Sequence, residues 1–348
     1  MAVARNGTPQ TVARAWIAAA IVGFVFGLLC FVILRAHHNA NPVVTAGDFK
    51  RPLHDARDLL AGRDMYRHTP GPYAIPYPVP AALVAMPLAW LPDVVAGSVF
   101  MGLSVMLLAF GILRSGQEWR LAMLLSWSFV YALLWVQWTP LICALWYLPA
   151  LAAMMLVKPN IALPVLLAGA FRPALFDMRA HRPLPERLRA GAWKWLVPPA
   201  VLLVASLIWY PAWPWVWRSQ LGAYQGILPP LFSWPLGPLV LVALVEWRDR
   251  RAWLLVLLAL MPQRMVYDQL PIMLVAGTRR ELWVLIAASW VNCAIFMQSN
   301  GWSDVPLGWQ NFLMATLYLP AVLMVAGPKL RTLASQALRG QELAAGER

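Results

Sequence analysis

Long uncharged apolar runs alternate with short polar segments along most of the chain. The first run, residues 16–34, has 19 residues without a charge, enough for a helix to cross a hydrocarbon core of ~30 Å. It is longer than the ~7–15 apolar residues of a signal peptide, so we interpret it as a retained anchor. Together the runs predict an all-α polytopic membrane bundle of about ten transmembrane helices. The runs are residues 16–34, 94–113, 121–137, 141–171, 195–209, 236–246, 252–261, 270–277, 282–297 and 312–326.

Three runs do not fit simple spanning helices. Residues 141–171 are too long for one straight pass and contain Pro149, Pro159 and Pro164. An internal proline removes a backbone donor and clashes with the preceding turn, so this run predicts a broken passage buried within protein or beside water. Residues 252–261 and 270–277 are short enough that each must borrow flanking residues to span, which leaves the number of passes open.

Composition supports a membrane protein. Hydrophobic residues make up 61% of the chain and charged residues 12%, about half the charged share of soluble domains, so a soluble globular domain is excluded. The net charge is +13, but the basic residues lie in short loops between apolar runs, as in cytoplasmic loops. No basic stripe interleaved with aromatic residues indicates nucleic-acid binding.

The basic loops define an orientation with both termini in the cytoplasm. The excess of arginine over lysine, 24 to 4, is typical of GC-rich bacterial genomes, so we expect a multi-pass protein of the bacterial plasma membrane. The chain, residues 1–348, is interpreted as one transmembrane domain. Its outer loop and re-entrant segment are residues 35–92, and its cytoplasmic basic loop is residues 172–194.

The outer loop concentrates the polar chemistry. Residues 35–77 hold four of the nine aspartates and four of the five histidines. Residues 52–61 have the apolar spacing of a short amphipathic helix lying flat at the interface, with Gly62 as its stop. Residues 81–91 are too short to cross and predict a segment that dips in and returns. We therefore expect chemistry at the outer membrane surface.

Several motifs in this order resemble a known family. An Asp-Phe pair at residues 48–49 is followed by Ala-Arg-Asp-Leu-Leu-Ala-Gly-Arg-Asp-Met-Tyr at 56–66 and by Tyr-Pro at 77–78. Lys-Pro-Asn at 158–160 and Tyr-Asp-Gln at 267–269 come later. This set is similar to the bacterial polyprenyl-phosphate-mannose-dependent α-mannosyltransferases, whose relatives include arabinofuranosyltransferases. The chain departs from the family pattern at 77–80, where it has Tyr-Pro-Val-Pro.

The resemblance implies a GT-C type fold and a membrane glycosyltransferase. The implied co-substrate is a sugar, mannose in this family, on a polyprenyl phosphate; the acceptor is a lipid or glycan, and the surrounding membrane lipids are the other partners. No cofactor or metal is expected. Asp48 occupies the position of the catalytic aspartate, which acts as a base in an inverting transfer. The candidate substrate-binding residues are His54, Asp55, Tyr66, Tyr77, Lys158, Arg218, Arg264, Tyr267 and Asp268.

Structural alternatives exist for these residues. Asp48 suits a helix cap or a partner of Lys50 or Arg51, and Asp55 suits a solvated ion-paired face. Lys158 suits a lysine that snorkels to the interface. Arg264 and Asp268 suit an internal ion pair. The tryptophan-rich residues 209–218 suit either an interfacial belt or a sugar-stacking surface.

Two other functions are consistent with the sequence. Broken helices and an intramembrane lysine also occur in transporters or flippases of a lipid-linked or small anionic substrate. A non-catalytic membrane subunit, whose outer loop binds a partner protein, is the third possibility.

Overall fold

The structure is a computed structural model that describes residues 9–40, 46–67, 77–171, 195–221, 228–262, 266–298 and 311–346. All regular structure in these ranges is helical, which confirms the all-α prediction. The first half contains α1 (Pro9–Ala40), a 3₁₀ turn (Gly47–Phe49), α2 (Lys50–Leu60), α3 (Val79–Ala85) continued by a 3₁₀ turn (Met86–Leu88), α4 (Asp93–Arg114), a 3₁₀ helix (Glu118–Leu125), α5 (Trp127–Leu134) and α6 (Thr139–Ala144).

The second half has shorter and more irregular helices. It contains a 3₁₀ helix (Pro149–Leu156), α7 (Pro159–Leu166) followed by a π turn (Leu167–Phe171), α8 (Val197–Trp209), α9 (Trp213–Leu221), 3₁₀ helices at Pro230–Phe232 and Gly237–Glu246, α10 (Arg250–Leu260), a 3₁₀ helix (Val266–Val275), α11 (Arg279–Gln298), a π turn (Met314–Tyr318) and α12 (Leu319–Gly346). The predicted break in residues 141–171 is confirmed, since Pro149 and Pro159 each begin a new helix.

The helices α1 and α4 pack closely because glycines face each other. A Cβ on Gly23 would lie 2.7 Å from the carbonyl oxygen of Gly102, and one on Gly27 would lie 3.3 Å from the Gly102 Cα. Small residues in this spacing let two backbones approach within a membrane. On its other side α1 exposes large apolar side chains, including Phe24 at 71%, as expected for a surface covered by lipid.

In the part of the chain that the structure describes, three helical segments are long and apolar enough to cross a membrane: Gln10–Asn39, Asp93–Arg114 and Asn311–Arg339. The pair α8 and α9, bent by 95°, would make a fourth if it forms one span. These findings agree with a membrane protein. The other predicted passes fall on helices shorter or less apolar than a full span requires in the described ranges, so the count of ten passes stays a prediction.

The outer loop folds as the sequence predicts at its centre. The helix α2 covers the predicted residues 52–61 to within two residues, and Gly62 follows it with φ +67°. Arg57 of α2 binds the end of the predicted re-entrant residues 81–91. Its guanidinium group donates to the carbonyl oxygens of Ala89 at 2.9 Å and Leu91 at 2.7 Å. The same side chain pairs with Asp93 at 2.6 Å.

Candidate functional site

Asp48 is anchored to the end of α5 by its backbone. Its amide donates to the carbonyl oxygen of Trp135 at 2.9 Å. The preceding Gly47 has φ +53°, and a Cβ there would overlap that carbonyl group, so this approach requires glycine. The next residue, Phe49, is fully buried, and its ring stacks on Phe100 at 4.0 Å. These contacts fix the 3₁₀ turn that carries the Asp48 carboxyl group.

The segment facing Asp48 ends α5 in a Schellman motif. The amide of Val136 donates to Leu133 at 3.3 Å, and that of Gln137 donates to Ala132 at 2.8 Å. Glycine normally occupies the left-handed position of this motif, but here Val136 does so, with φ 47°. A β-branched residue in this conformation is strained, at a cost of about 1–3 kcal/mol. The strained turn aims the Gln137 side chain at Asp48.

A chain of polar contacts links two carboxyl groups through an amide and a lysine. The Nε2 of Gln137 donates to Oδ2 of Asp48. The Nζ of Lys158 donates to Oε1 of Gln137 at 3.1 Å and to Oδ1 of Asp268 at 2.8 Å. Gln137 is fully buried, and Asp268 is 1% exposed. Lys158 therefore points into the protein and not to the lipid surface, which excludes the snorkelling alternative.

Aromatic side chains enclose this network. The Tyr267 ring lies 5.0 Å from Nζ of Lys158, a cation–π contact, and stacks on Tyr131 at 5.9 Å. Its hydroxyl lies against the Asp48 carboxyl group. Tyr77 lies close to both Asp48 and Asp268, and its ring is 6.3 Å from that of the fully buried Trp138.

These surroundings alter the acidity of Asp48. Withdrawal of its carboxyl group from water raises the pKa of Asp48 above its ordinary value. The positive charge of Lys158 and the hydrogen bond from Gln137 oppose this rise, while the negative charge of Asp268 adds to it. A carboxylate with a raised pKa is a stronger base than an exposed one, so the site suits removal of a proton from a bound hydroxyl group.

A second group, formed by α2 and the segment after it, lies beside the network. Asp55 is 2% exposed and pairs with Arg51 at 2.9 Å. Burial raises the pKa of Asp55 to about 7, against the lowering effect of Arg51. The hydroxyl of Tyr66 donates to the carbonyl oxygen of Tyr77 at 3.2 Å. Asp55 is thus buried, unlike the solvated face that the sequence offered as its alternative.

The predicted site residues divide into two sets. Asp48, Lys158, Tyr267, Asp268 and Tyr77 come together, and Asp55 and Tyr66 lie next to Tyr77. Two others lie elsewhere: the Nε2 of His54 is bonded to Oδ2 of Asp93 at 2.9 Å, and Arg218 is exposed on α9. The last candidate, Arg264, lies outside the described residues.

The alternatives for Asp48 can now be compared with its contacts. No side chain caps the 3₁₀ turn or α2, and Arg51 pairs with Asp55.

The tryptophan-rich run 209–218 bends between α8 and α9 with mixed exposure: Trp215 is 71% exposed and Trp213 is buried. That mixture suits a membrane-interface belt as well as a binding surface.

Gln137, Val136 and Trp138 are site residues that the sequence prediction missed. The available signal was polarity, because Gln137 is the first side-chain amide in the largely apolar residues 121–171, whose one charged residue is Lys158. Gln137 stands at the end of a predicted pass, however, where a polar residue is ordinary. The left-handed Val136 has no sequence signal, since this position favours glycine or asparagine.

Within the described residues, no three histidine, cysteine, aspartate or glutamate side chains gather where they could hold a metal ion. Cys30, Cys143 and Cys293, all among the described residues, form no disulfide bond. Comparisons of the chain with protein-family models, curated proteins and solved structures find no match.

Proposed function

We propose that the protein is a membrane glycosyltransferase that moves a sugar, mannose in the first instance, from a polyprenyl phosphate to a lipid or glycan acceptor. The observation that carries this proposal is the Asp48 carboxyl group, which is bound by Gln137 of a strained turn and lies beside the partly buried Lys158. The ordered motifs of the sequence support the same interpretation. The fold then corresponds to a GT-C bundle of about ten passes in the bacterial plasma membrane, with both termini in the cytoplasm and Asp48 at the outer face.

In this mechanism Asp48 acts as a general base. It takes the proton of the acceptor hydroxyl as that oxygen forms a bond to the anomeric carbon. The bond between the anomeric carbon and the phosphate oxygen breaks, and its electron pair leaves with the polyprenyl phosphate. A single displacement inverts the anomeric centre and needs no carboxylate nucleophile.

Lys158 supplies positive charge for the leaving phosphate. Its side chain is 12% exposed, and its ammonium group is paired with Asp268 in the resting protein. A cation in a partly dehydrated site stabilises developing negative charge more strongly than one in water. Asp268 keeps Lys158 in place until the phosphate binds, and Tyr267 covers the ammonium group with its ring.

The test is transfer of label from radiolabelled polyprenyl-phosphate mannose to a crude lipid acceptor extract by the purified protein. Asp48→Asn keeps the shape of the side chain and an acceptor for Gln137, and we expect transfer to fall about 100-fold or more. The matched control is Asp58→Asn, which removes a carboxylate that pairs with Arg63 at the surface of α2. Unchanged transfer in Asp48→Asn would remove the proposed role of this residue.

A transporter or flippase is the second candidate, and the buried Lys158–Asp268 pair among interrupted helices favours it. Proteoliposomes distinguish the two. Movement of a lipid-linked sugar across the bilayer without formation of a glycosylated product would support transport and contradict transfer.

A further inference from the structure

The orientation of the Gln137 amide is fixed by its two neighbours. An ammonium group can only donate hydrogen bonds, so Lys158 must face the carbonyl oxygen Oε1 of Gln137, as it does at 3.1 Å. The NH₂ group of Gln137 must then face Asp48, where it donates to Oδ2. That bond occupies one lone pair of Oδ2 and lowers the basicity of this oxygen, so Oδ1 is the more basic oxygen of the carboxylate while the bond lasts.

The same amide separates Lys158 from Asp48. The lysine forms its ion pair with Asp268 at 2.8 Å, and the amide of Gln137 lies between the ammonium group and the Asp48 carboxyl group. The Schellman turn with the left-handed Val136 fixes the backbone of Gln137, and thereby the starting point of its side chain. Gln137 is fully buried, so water does not replace its bonds.

We propose that Gln137 is a positioning residue that holds Asp48 so that Oδ1 is the oxygen that takes the acceptor's proton, and that keeps Lys158 from closing onto Asp48. This inference rests on the proposed transfer only for its catalytic consequence. Its geometric part concerns the protein alone. The acceptor hydroxyl approaches Oδ1, the proton moves from that hydroxyl to Oδ1, and Oδ2 stays bound to Gln137 throughout.

The charged and titratable groups that face Asp48 all belong to this network. They are the ammonium group of Lys158, the carboxyl group of Asp268 and the hydroxyl groups of Tyr267 and Tyr77. Gln137 carries no charge and bonds to both Asp48 and Lys158. Replacing it by a carboxylate therefore changes the local charge by a single negative charge at a fixed place.

Gln137→Glu is the decisive variant because it keeps the length of the side chain. The new carboxylate attracts Lys158 and repels the Asp48 carboxylate, so the pKa of Asp48 rises further. We expect the acidic limb of the profile of transfer rate against pH to move upward by about one pH unit, with the rate on that limb about tenfold lower. Gln117→Glu, in the turn after α4, is the matched control.

Infrared titration of the Asp48 carbonyl band, identified by its loss in Asp48→Asn, follows the same protonation without any enzymatic assay. If the wild-type protein shows no transfer but this band titrates at higher pH in Gln137→Glu, the proposed function fails, while the placement of Gln137 between Lys158 and Asp48 stands. If transfer occurs and neither the band nor the acidic limb moves, the positioning role is overturned. Gln137→Met provides a second variant: we expect kcat to fall with KM unchanged, and an unchanged kcat would also overturn the role.

Discussion

Gly47→Ala tests whether the loop that carries Asp48 packs against the end of α5. The change imposes a left-handed conformation on an alanine, at a cost of roughly 1–2 kcal/mol. Its Cβ would also overlap the carbonyl group of Trp135, so the loop must move and the bond from the Asp48 amide to that carbonyl is lost. A buried backbone donor without a partner costs about 1–3 kcal/mol more. The expected destabilisation is therefore about 2–5 kcal/mol.

Gly62→Ala separates these two contributions. Gly62 has φ +67°, but a Cβ there meets nothing within 4 Å, so alanine incurs only the conformational cost of about 1–2 kcal/mol. Thermal unfolding in detergent measures the difference, and a chain of this length shifts in Tm by roughly 1–2 °C per kcal/mol. We expect Gly47→Ala to lower Tm clearly more than Gly62→Ala and to impair the proposed sugar transfer. Equal shifts in the two variants would contradict the close approach of Gly47 to Trp135.

Two further predictions concern buried charges. Lys158→Met leaves the 1%-exposed Asp268 without its lysine, which should destabilise the protein by about 3–5 kcal/mol. Adding Asp268→Asn to Lys158→Met should recover part of the lost Tm. The control Lys329→Met, on the exposed part of α12, should change Tm little. A Lys158→Met protein as stable as that control would disprove the pairing of Lys158 with Asp268. The pKa of Asp55 is raised to about 7 in the folded protein, whereas an Asp in the unfolded chain has a pKa of about 3.9. The folded protein therefore binds this proton more tightly than the unfolded chain does. The stability that the protonated Asp55 contributes is fully present below about pH 3.9 and is lost as the pH rises to about 7. Relative to wild type, the Tm of Asp55→Asn should rise between about pH 4 and 7 and then level off, with Asp58→Asn as control; a constant difference would argue against a raised pKa.

The helical architecture was predictable because apolar runs and prolines act locally. The runs at 16–34 and 94–113 became α1 and α4. Pro149 and Pro159 divided the passage 141–171 where they stand, whereas Pro164 lies inside α7. The number of spans was not predictable in the same way. Helices such as Gly237–Glu246 and Val266–Val275 are tightened 3₁₀ segments, and their path depends on packing between segments distant in sequence.

The candidate site was predictable for its charged members and for Tyr77 and Tyr267, which stand in the motifs, but not for the amide that links them. Asp48, Lys158 and Asp268 stand out because charges in apolar surroundings are costly, and the order of the motifs placed them in one family pattern. Gln137 did not stand out, because its importance arises from the partners 89 and 21 residues away that the fold brings to it. His54 shows the opposite case. It is a conspicuous polar residue in the outer loop, but the fold uses it to hold α2 to Asp93.

The costs concentrated around Asp48 argue that this region serves chemistry and not stability. A left-handed valine, a glycine pressed against a carbonyl group and a buried lysine–aspartate pair each reduce the stability that simpler residues would give. A fold under selection for stability alone has no reason to collect all of them around one carboxyl group. Hydrophobic residues at positions 137, 158 and 268 would pack in the same space without buried charge. The polar side chains around Asp48 are therefore best explained by a reaction or a translocated substrate that needs a base and a cation together. Variants at Gln137 test this functional explanation against a purely structural role of the network.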